Sequence, residues 1–312
     1  MGNALNRYVL FLIASMLFVG SNVGIGKSIV VVVPILLFAL LRFVIAVIVL
    51  SPLYRIAKMR LVTRGEWVNL FLQAFFGTFL FTLLMLGGVH RTTAVAAGVI
   101  TSTIPAVVAL LAWIFLKERP RPRAVVAIVL AIVGVVVVTL ARDAGQTAAA
   151  VPAGQTDTGS SGSLVGNLMV LGAVFCESTY VILSRRLTQT LSPIDICAYT
   201  HAFGLMLMLP FGLASLVGFD FASVPPLTWG LVVWYALSAS IFSFVLWMKG
   251  IRHVPGSLAG VFTAMLPVAA AAYGIFVLGE RPTVAHGIAL VCVIAGISIA
   301  SLRPRKVPPV AS

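Results

Sequence analysis

The chain alternates long apolar runs with short stretches that contain charged residues, proline or glycine. Each apolar run is long enough for an α-helix that crosses the hydrocarbon core of a bilayer, which takes roughly 20 residues. Ten such runs predict ten membrane-spanning helices, called spans 1 to 10 in chain order. They cover residues 8–26, 33–53, 68–87, 94–116, 122–141, 164–184, 192–217, 228–248, 256–278 and 283–302. The pattern therefore predicts an all-α membrane protein.

Composition supports this prediction and excludes the soluble classes. Hydrophobic residues make up 61% of the 312 residues and charged residues only 9%. An ordinary soluble domain has roughly 45–50% apolar and about 25% charged residues. So few charges do not cover the surface of a soluble enzyme or of a nucleic-acid-binding protein, so the bilayer is the expected surrounding.

The basic residues are distributed unevenly between the two sides of the predicted bundle. If Arg7 is cytoplasmic, sixteen of the 21 Lys and Arg residues fall on the cytoplasmic side. Lys27, Arg91, Arg142 and Arg281 fall on the other side, and one further arginine lies within span 2. Because positively charged loops stay in the cytoplasm, we expect a multi-pass protein of the inner (plasma) membrane with both termini cytoplasmic.

A polar stretch rich in Gly, Ser, Thr and Ala divides the spans into two sets of five. Residues 142–163 have a composition that cannot bury a core, so they are predicted to form a flexible extracytoplasmic linker. The sets on either side, residues 1–141 and 164–302, are predicted as two five-helix units. Residues 303–312 form a basic cytoplasmic tail.

The two units are related by an internal repeat. Thr-x-x-x-Pro at 101–105 recurs at 263–267, and Glu-Arg-Pro at 118–120 recurs at 280–282, both at an offset of 162 residues. Because five spans is an odd number, the second unit must enter the membrane in the opposite direction. Inverted five-helix repeats are typical of secondary transporters, whose substrate site lies near the midplane between the repeats. The Glu-Arg-Pro motifs are interpreted as closures of helical hairpins or, alternatively, as gates.

Two prolines lie near the middles of spans 4 and 9. Pro105 and Pro267 lack an N–H and crowd the carbonyl four residues earlier, which belongs to Thr101 and Thr263 respectively. Each position therefore combines a freed carbonyl with a hydroxyl inside the membrane. Either these groups form a substrate-binding patch, or the hydroxyl satisfies a packed kink.

Glu177 is the acidic residue that lies well inside a span, since the others fall in loops or at span ends. A charge at the bilayer centre costs roughly 2.5–3.5 kcal/mol on insertion scales and usually has a partner. Glu177 is predicted to bind a substrate amino group or to take up a proton. The alternative is a buried structural partner of Arg42 in span 2 or of His201 in span 7, and His201 is a second candidate for proton coupling.

Asn22 in span 1 and Tyr180 in span 6 correspond at an offset of 158 residues. Both offer neutral hydrogen-bonding groups at equivalent depths, which suits the orientation of a small polar solute. Ordinary bonding between helices is the alternative. Lys27, at the end of span 1, is expected to mark the water interface.

At this point the chain resembles a known family, the tandem EamA domains of the drug/metabolite transporter superfamily. In the first unit the resemblance rests on Gly20-Ser21-Asn22 with Lys27, Leu41-Arg42-Phe43, Pro105 and Leu116-Lys117-Glu118-Arg119. In the second it rests on Ser184-Arg185-Arg186, Pro267 and Leu278-Gly279-Glu280-Arg281. The resemblance implies ten helices, alternating access and a central cavity lined mainly by spans 1, 3, 4, 6, 8 and 9. It also implies export of amino acids, other small metabolites or drugs.

Other functions are weighed against this one. An intramembrane enzyme would need a catalytic constellation, and the sequence has no His-Glu-x-x-His or Gly-x-Ser-x-Gly motif. A channel would not need a duplicated bundle, and a flippase for a lipid-linked substrate stays open. No catalytic residues, metal ligands or cofactors are predicted. The expected partners are the bilayer and a small solute, not nucleic acid; the sequence leaves proton coupling and a homodimer open.

Overall fold

The computed structural model describes residues 2–56, 62–116, 160–187, 190–251, 265–281 and 283–301, together with short stretches between 125 and 137. Every regular element in these residues is helical. Seven of the described helices are long and apolar enough to cross a membrane, and Met265–Phe276 and His286–Gly296 are shorter apolar helices. The all-α membrane fold is thus confirmed. The count of ten stays a prediction, because most of span 5 and the start of span 9 lie outside the described residues.

Five spans are single helices whose ends are set by the flanking residues. They are Gly2–Val30 (span 1), Ile35–Ile56 (span 2), Ser160–Leu187 (span 6), Pro193–Ala214 (span 7) and Val284–Ser301 (span 10). Span 7 begins at Pro193 because Ser192 accepts a hydrogen bond from the backbone N–H of Asp195. The tail at 303–312 and linker residues 142–159 lie outside the described part, so the proposed domain boundaries stay predictions.

Spans 3 and 8 each contain a π-helical segment. Span 3 consists of Arg64–Gln73, the π-helical Ala74–Leu80 and Phe81–Arg91. Span 8 consists of Pro226–Leu237, the π-helical Ser238–Phe242 and Ser243–Ile251. The offset of 162 residues that relates spans 4 and 9 also superimposes these two segments. Such segments are rare and often occur at functional sites, so their shared position is a structural sign of the repeat.

Span 4 is broken just before Pro105. Helix Ala94–Thr101 ends in a turn at Ser102 and Thr103, and a second helix runs over Ile104–Leu116. The hydroxyls of Thr101 and Thr103 donate to the carbonyls of Ala97 at 2.8 Å and Ile100 at 2.6 Å. The break thus satisfies backbone groups locally, as a helix interrupted inside a membrane requires.

Contacts at the helix ends fix the directions of the spans. The ends of spans 1 and 9 meet the start of span 4 through Lys27, Glu280 and Ala94, and Gly166 near the start of span 6 packs on Arg91 at the end of span 3. We call this side of the bundle the Glu280 face. At the opposite face, the end of span 8 packs on the start of span 1, and the starts of spans 3 and 7 pack on the end of span 6. Spans 1 and 6, 3 and 8, and 4 and 9 therefore run in opposite directions, and the complete ten-helix inverted repeat stays a prediction.

The two units pack closely where span 9 crosses spans 1 and 4. A Cβ added at Gly24 would lie 2.1 Å from the Cδ1 atom of Tyr273, and one at Gly98 would lie 2.5 Å from the Cβ atom of Ala270. Only glycine allows this approach of the helix backbones. A larger core of buried side chains, including Ile29, Phe38 and Phe43, joins spans 1, 2, 3, 7 and 8.

Candidate functional site

A cavity of about 430 Å³ lies between the two units. Spans 1, 2, 3, 4, 6, 7, 8 and 9 all contribute side chains to its wall. Its volume falls within the range of roughly 300–1,000 Å³ found for small-molecule sites. The resemblance to the EamA domains implied a cavity lined by six of these spans. The structure shows that spans 2 and 7 also contribute, with Arg42 from span 2 and Cys197, Thr200 and His201 from span 7.

The lining residues correspond in pairs between the two units. At an offset of 162 residues the pairs are Gly77 and Ala239, Thr78 and Ser240, Phe81 and Ser243, Met85 and Trp247, and Ile104 and Leu266. At 158 residues they are Val19 and Glu177, Asn22 and Tyr180, and Val23 and Val181. Since both members of every pair line the cavity, the cavity lies where the repeat places it.

Most of the wall is apolar, and the charges are few. Met16, Phe81, Met85, Phe244 and Trp247 supply large apolar or aromatic surfaces. Such a wall accepts the apolar part of a solute, while a few polar groups fix its orientation.

Arg42 is one of two charged residues that the described part of the chain contributes to the wall. It is buried, with 6% of its surface exposed, and its Nη1 donates to the hydroxyl of Thr82. Its guanidinium lies over the rings of Phe43 and Tyr235, at 5.3 Å and 5.7 Å from their centroids, and aromatic faces stabilise such a cation.

Glu177 is the second charged residue, and it faces the same cavity from span 6. Arg42 and Glu177 thus present opposite charges to one cavity. Among the described residues, however, neither lies within ion-pair distance of an opposite charge, and the ion pair found there joins Lys27 and Glu280. The structural ion pair considered for Arg42 is not seen among the described residues, where Thr82 and two aromatic rings contact its guanidinium.

Four polar atoms of the wall have no hydrogen-bond partner among the described residues. They are Nδ2 of Asn22, Nε of Arg42, Nε2 of His201 and Oγ of Ser240. A buried donor or acceptor left unpaired costs about 1–3 kcal/mol. A polar solute or water in the cavity is therefore the natural partner of these atoms.

The predicted site residues divide into three groups. Asn22, Thr101, Glu177 and Tyr180 line the cavity together with Arg42 and His201. Pro267 is buried and packs beside Gly98 rather than in the wall. Thr263 lies outside the described residues, as does the side chain of Pro105, whose backbone belongs to the helix Ile104–Leu116.

Sequence reasoning missed several lining residues, among them Ser15, Ser240 and Met85. A lone serine or methionine in an apolar run gives no signal of its own. The repeat offset relates Ser240 to Thr78 and Met85 to Trp247, but neither counterpart carries a signal of its own, so the offset alone does not identify these residues.

A second polar cluster lies at the Glu280 face, away from the cavity. Glu280 Oε1 accepts hydrogen bonds from Lys27 Nζ at 2.8 Å and from the backbone N–H of Ala94 at 2.8 Å, and Oε2 accepts one from Val95 N–H at 3.1 Å. Only 12% and 4% of the Lys27 and Glu280 side chains are exposed. Lys27, expected at the water interface, is therefore buried in an ion pair between the two units.

The end of span 9 explains how Glu280 reaches this position. Gly279 has a φ of 66°, a conformation that residues with a side chain rarely adopt. The resulting turn also brings the N–H of Glu280 to the carbonyl of Gly274 at 2.8 Å. The carboxylate then lies at the first turn of the helix Ala94–Thr101, where the helix dipole favours a negative charge.

Comparison with known proteins agrees with this architecture. The model of the EamA-like transporter family matches residues 6–140 and 164–302. The uncharacterized transporter YetK of Bacillus subtilis is 33% identical over 297 residues, which cover 95% of this chain and 87% of that protein. An uncharacterized transporter of Archaeoglobus fulgidus is 23% identical, covering 78% of each chain. A solved structure described as "Crystal structure of protein" has a TM-score of 0.60 at 19% identity, covering 95% of this chain and 96% of that one, and so shows a shared fold. The chain is a membrane transporter, not an enzyme, and it belongs to the EamA-like transporter family.

Proposed function

We propose that this transporter is a secondary carrier that exports a small zwitterionic metabolite, an amino acid or a related compound, by alternating access. The observation that carries the proposal is the placement of Arg42 and Glu177, which present opposite charges to one cavity without contacting each other. A solute with one negative and one positive group can bridge them. Neither an uncharged solute nor a simple anion or cation satisfies both.

The free groups of the wall fit the two ends of such a solute. The Nε of Arg42 has no partner among the described residues and can donate to a carboxylate. The Glu177 carboxylate can accept hydrogen bonds from an ammonium group. The apolar wall of Met16, Phe81 and Trp247 is available to the remainder of the solute.

The Glu280 cluster supports the proposal of alternating access. It ties the end of span 9, in the second unit, to spans 1 and 4 of the first unit. This bond must break if the units are to separate at that face, which the charge distribution predicts to be extracytoplasmic. We therefore propose that the structure is the state closed at the Glu280 face, and that export requires Glu280 to leave Lys27 and the start of span 4.

The proposal is tested with purified protein in proteoliposomes. Radiolabelled amino acids are assayed by counterflow, with and without an imposed pH gradient. We expect saturable counterflow of zwitterions, lost in Arg42→Gln and Glu177→Gln and kept in Asp220→Asn, which replaces a carboxylate that caps its own surface loop. Thermal melting in detergent establishes that each variant is folded.

Two results would count against the proposal. Zwitterion counterflow that survives both cavity substitutions in folded protein contradicts the binding role of the two charges. Flux that does not saturate contradicts a carrier. A Glu177→Gln variant that retains counterflow but loses its response to the pH gradient would assign proton coupling to Glu177.

A further inference from the structure

Three polar side chains of the cavity wall, one of them within the π-helical segment of span 8, each carry a buried atom without a hydrogen-bond partner. Asn22, His201 and Ser240 are 5%, 6% and 2% exposed. Within the described part of the chain, Nδ2 of Asn22, Nε2 of His201 and Oγ of Ser240 each lack a hydrogen-bond partner. All three residues belong to the cavity wall, and the three atoms are buried within it.

Hydrogen bonds on the far side of two of these groups fix their chemical roles. The Nδ1 atom of His201 lies 2.8 Å from the carbonyl oxygen of Cys197. Because a carbonyl only accepts, Nδ1 carries a proton, and Nε2 of the neutral ring is an acceptor. The Oδ1 atom of Asn22 accepts from the hydroxyl of Ser238 at 2.9 Å, which leaves Nδ2 as a donor.

The same segment of span 8 holds the three groups together. Ser238 bonds Asn22 of span 1, and the carbonyl of Ser240, two residues later, accepts from the Cys197 thiol at 3.5 Å, one turn before His201 in span 7. The segment thus carries a hydroxyl between a donor from one neighbouring span and an acceptor from another. None of these groups has the full charge that Arg42 and Glu177 bring to the cavity.

We infer that Asn22, His201 and Ser240 form a neutral hydrogen-bonding subsite for a hydroxyl or carboxamide group of the transported solute. The inference rests on the proposed function and narrows its substrate class. A hydroxyl can donate to His201 Nε2 while it accepts from Asn22 Nδ2, and a carboxamide offers the same pair of roles. A methyl or thioether group in the same place leaves all three protein atoms unsatisfied, and sites built in this way reject such analogues.

The test compares solutes of nearly equal shape in the proteoliposome assay. The pairs are L-threonine with L-valine and L-glutamine with L-methionine, and kcat/KM is measured for each. We expect the wild type to prefer the hydroxyl or carboxamide member by about tenfold or more. His201→Phe and Ser240→Ala should reduce this preference mainly by weakening the favoured member.

Control variants separate the subsite from general damage. Ser178→Ala removes a buried hydroxyl that bonds its own helix at the carbonyl of Val174 and lies outside the cavity wall, so it should keep the preference. His201→Gln places an acceptor near the position of Nε2, so it should recover part of the preference that His201→Phe loses.

The outcomes distinguish the two levels of the proposal. If the wild type transports both members of each pair equally, or if His201→Phe and Ser240→Ala keep the preference, the subsite is wrong and the zwitterion carrier stands. If the wild type transports neither member of either pair, the zwitterionic substrate class is wrong, and the subsite inference is rejected with it.

Discussion

Replacing Glu280 by glutamine removes the negative charge that ties the two units together at the Glu280 face. In the structure, which we propose is closed at this face, this carboxylate accepts three hydrogen bonds, one of them from the ammonium group of Lys27. Glutamine keeps one acceptor oxygen but leaves the lysine charge uncompensated. The change therefore destabilises the closed state relative to a state in which Lys27 reaches water.

The size of the effect follows from the burial of the pair. A hydrogen bond to a charged group contributes about 1.5–3 kcal/mol, and removing one partner of a fully buried ion pair costs about 3–5 kcal/mol. Because 12% of the Lys27 side chain is exposed, the pair is not fully buried, and we use the range for a hydrogen bond to a charged group. We take the cost of the substitution as about 2 kcal/mol. Since about 1.4 kcal/mol changes an equilibrium constant tenfold, the ratio of open to closed states should rise roughly 30-fold.

A native cysteine reports this opening. Cys197 lines the cavity and is 4% exposed. A membrane-impermeant methanethiosulfonate reagent, applied outside intact cells, should label Cys197 slowly in the wild type and roughly 30-fold faster in Glu280→Gln. Background labelling of Cys176 and Cys292 is measured in Cys197→Ser. Asp220→Asn serves as the matched control, since Asp220 lies in the loop between spans 7 and 8 and caps that loop.

The labelling rate decides between a gate and a structural closure. Lys27→Met should also accelerate labelling, because it leaves Glu280 as the unpaired member. If both variants are folded and neither labels faster than Asp220→Asn, the cluster closes a hairpin and the gating argument is refuted.

Three further predictions concern packing, the cavity cation and topology. Gly24→Ala should lower the stability of the folded protein in detergent by about 1–3 kcal/mol, because the new methyl group would overlap the Tyr273 ring. The control Gly230→Ala should be neutral or stabilising, since no atom lies within 4 Å of the added methyl group. Equal melting temperatures for the two variants would contradict the tight crossing of spans 1 and 9. Arg42→Lys keeps the positive charge but loses the planar guanidinium that lies over Phe43 and Tyr235. The KM for a zwitterionic solute should therefore rise several-fold with little change in protein stability. An unchanged KM would exclude recognition of the solute by the guanidinium. Reporter tags at positions 120 and 282 should lie on opposite sides of the membrane, and a common side would overturn the inverted repeat.

The apolar runs predicted the positions of the described spans but not where their helices end. Span 1 was expected over residues 8–26, and the helix runs over Gly2–Val30. The thickness of the bilayer sets the length of the apolar run. The helix is longer than this run, because its backbone stays hydrogen-bonded and its polar side chains are paired beyond the hydrocarbon core. Lys27 belongs to the helix because Glu280 compensates its charge, and the partner lies 253 residues away in the sequence.

The candidate site was predictable wherever a polar residue interrupts an apolar run. Asn22, Glu177 and Tyr180 were identified in this way as solute-binding candidates, His201 as a candidate for proton coupling and Arg42 as a candidate for a structural ion pair. All five line the cavity. The π-helical segments could not be predicted, since the apolar pattern of span 3 is compatible with either register of backbone bonding. For the same reason, nothing in the hydropathy pattern distinguishes Ser240, which lines the cavity, from the neighbouring Ser238, which bonds Asn22.

Three of the paired lining positions hold different chemistry in the two units. Val19 corresponds to Glu177, Asn22 to Tyr180 and Met85 to Trp247, so an apolar, a neutral polar or an aliphatic group in one unit faces a different group in the other. A wall that was identical in both units would bind a solute equally well in two orientations related by the pseudo-symmetry axis. Because the counterpart of Glu177 is the uncharged Val19, only one orientation places the positive end of the proposed solute against a carboxylate. Under the proposed alternating access, the repeated backbone would account for two similar conformations, and the unequal side chains would favour one orientation of the solute.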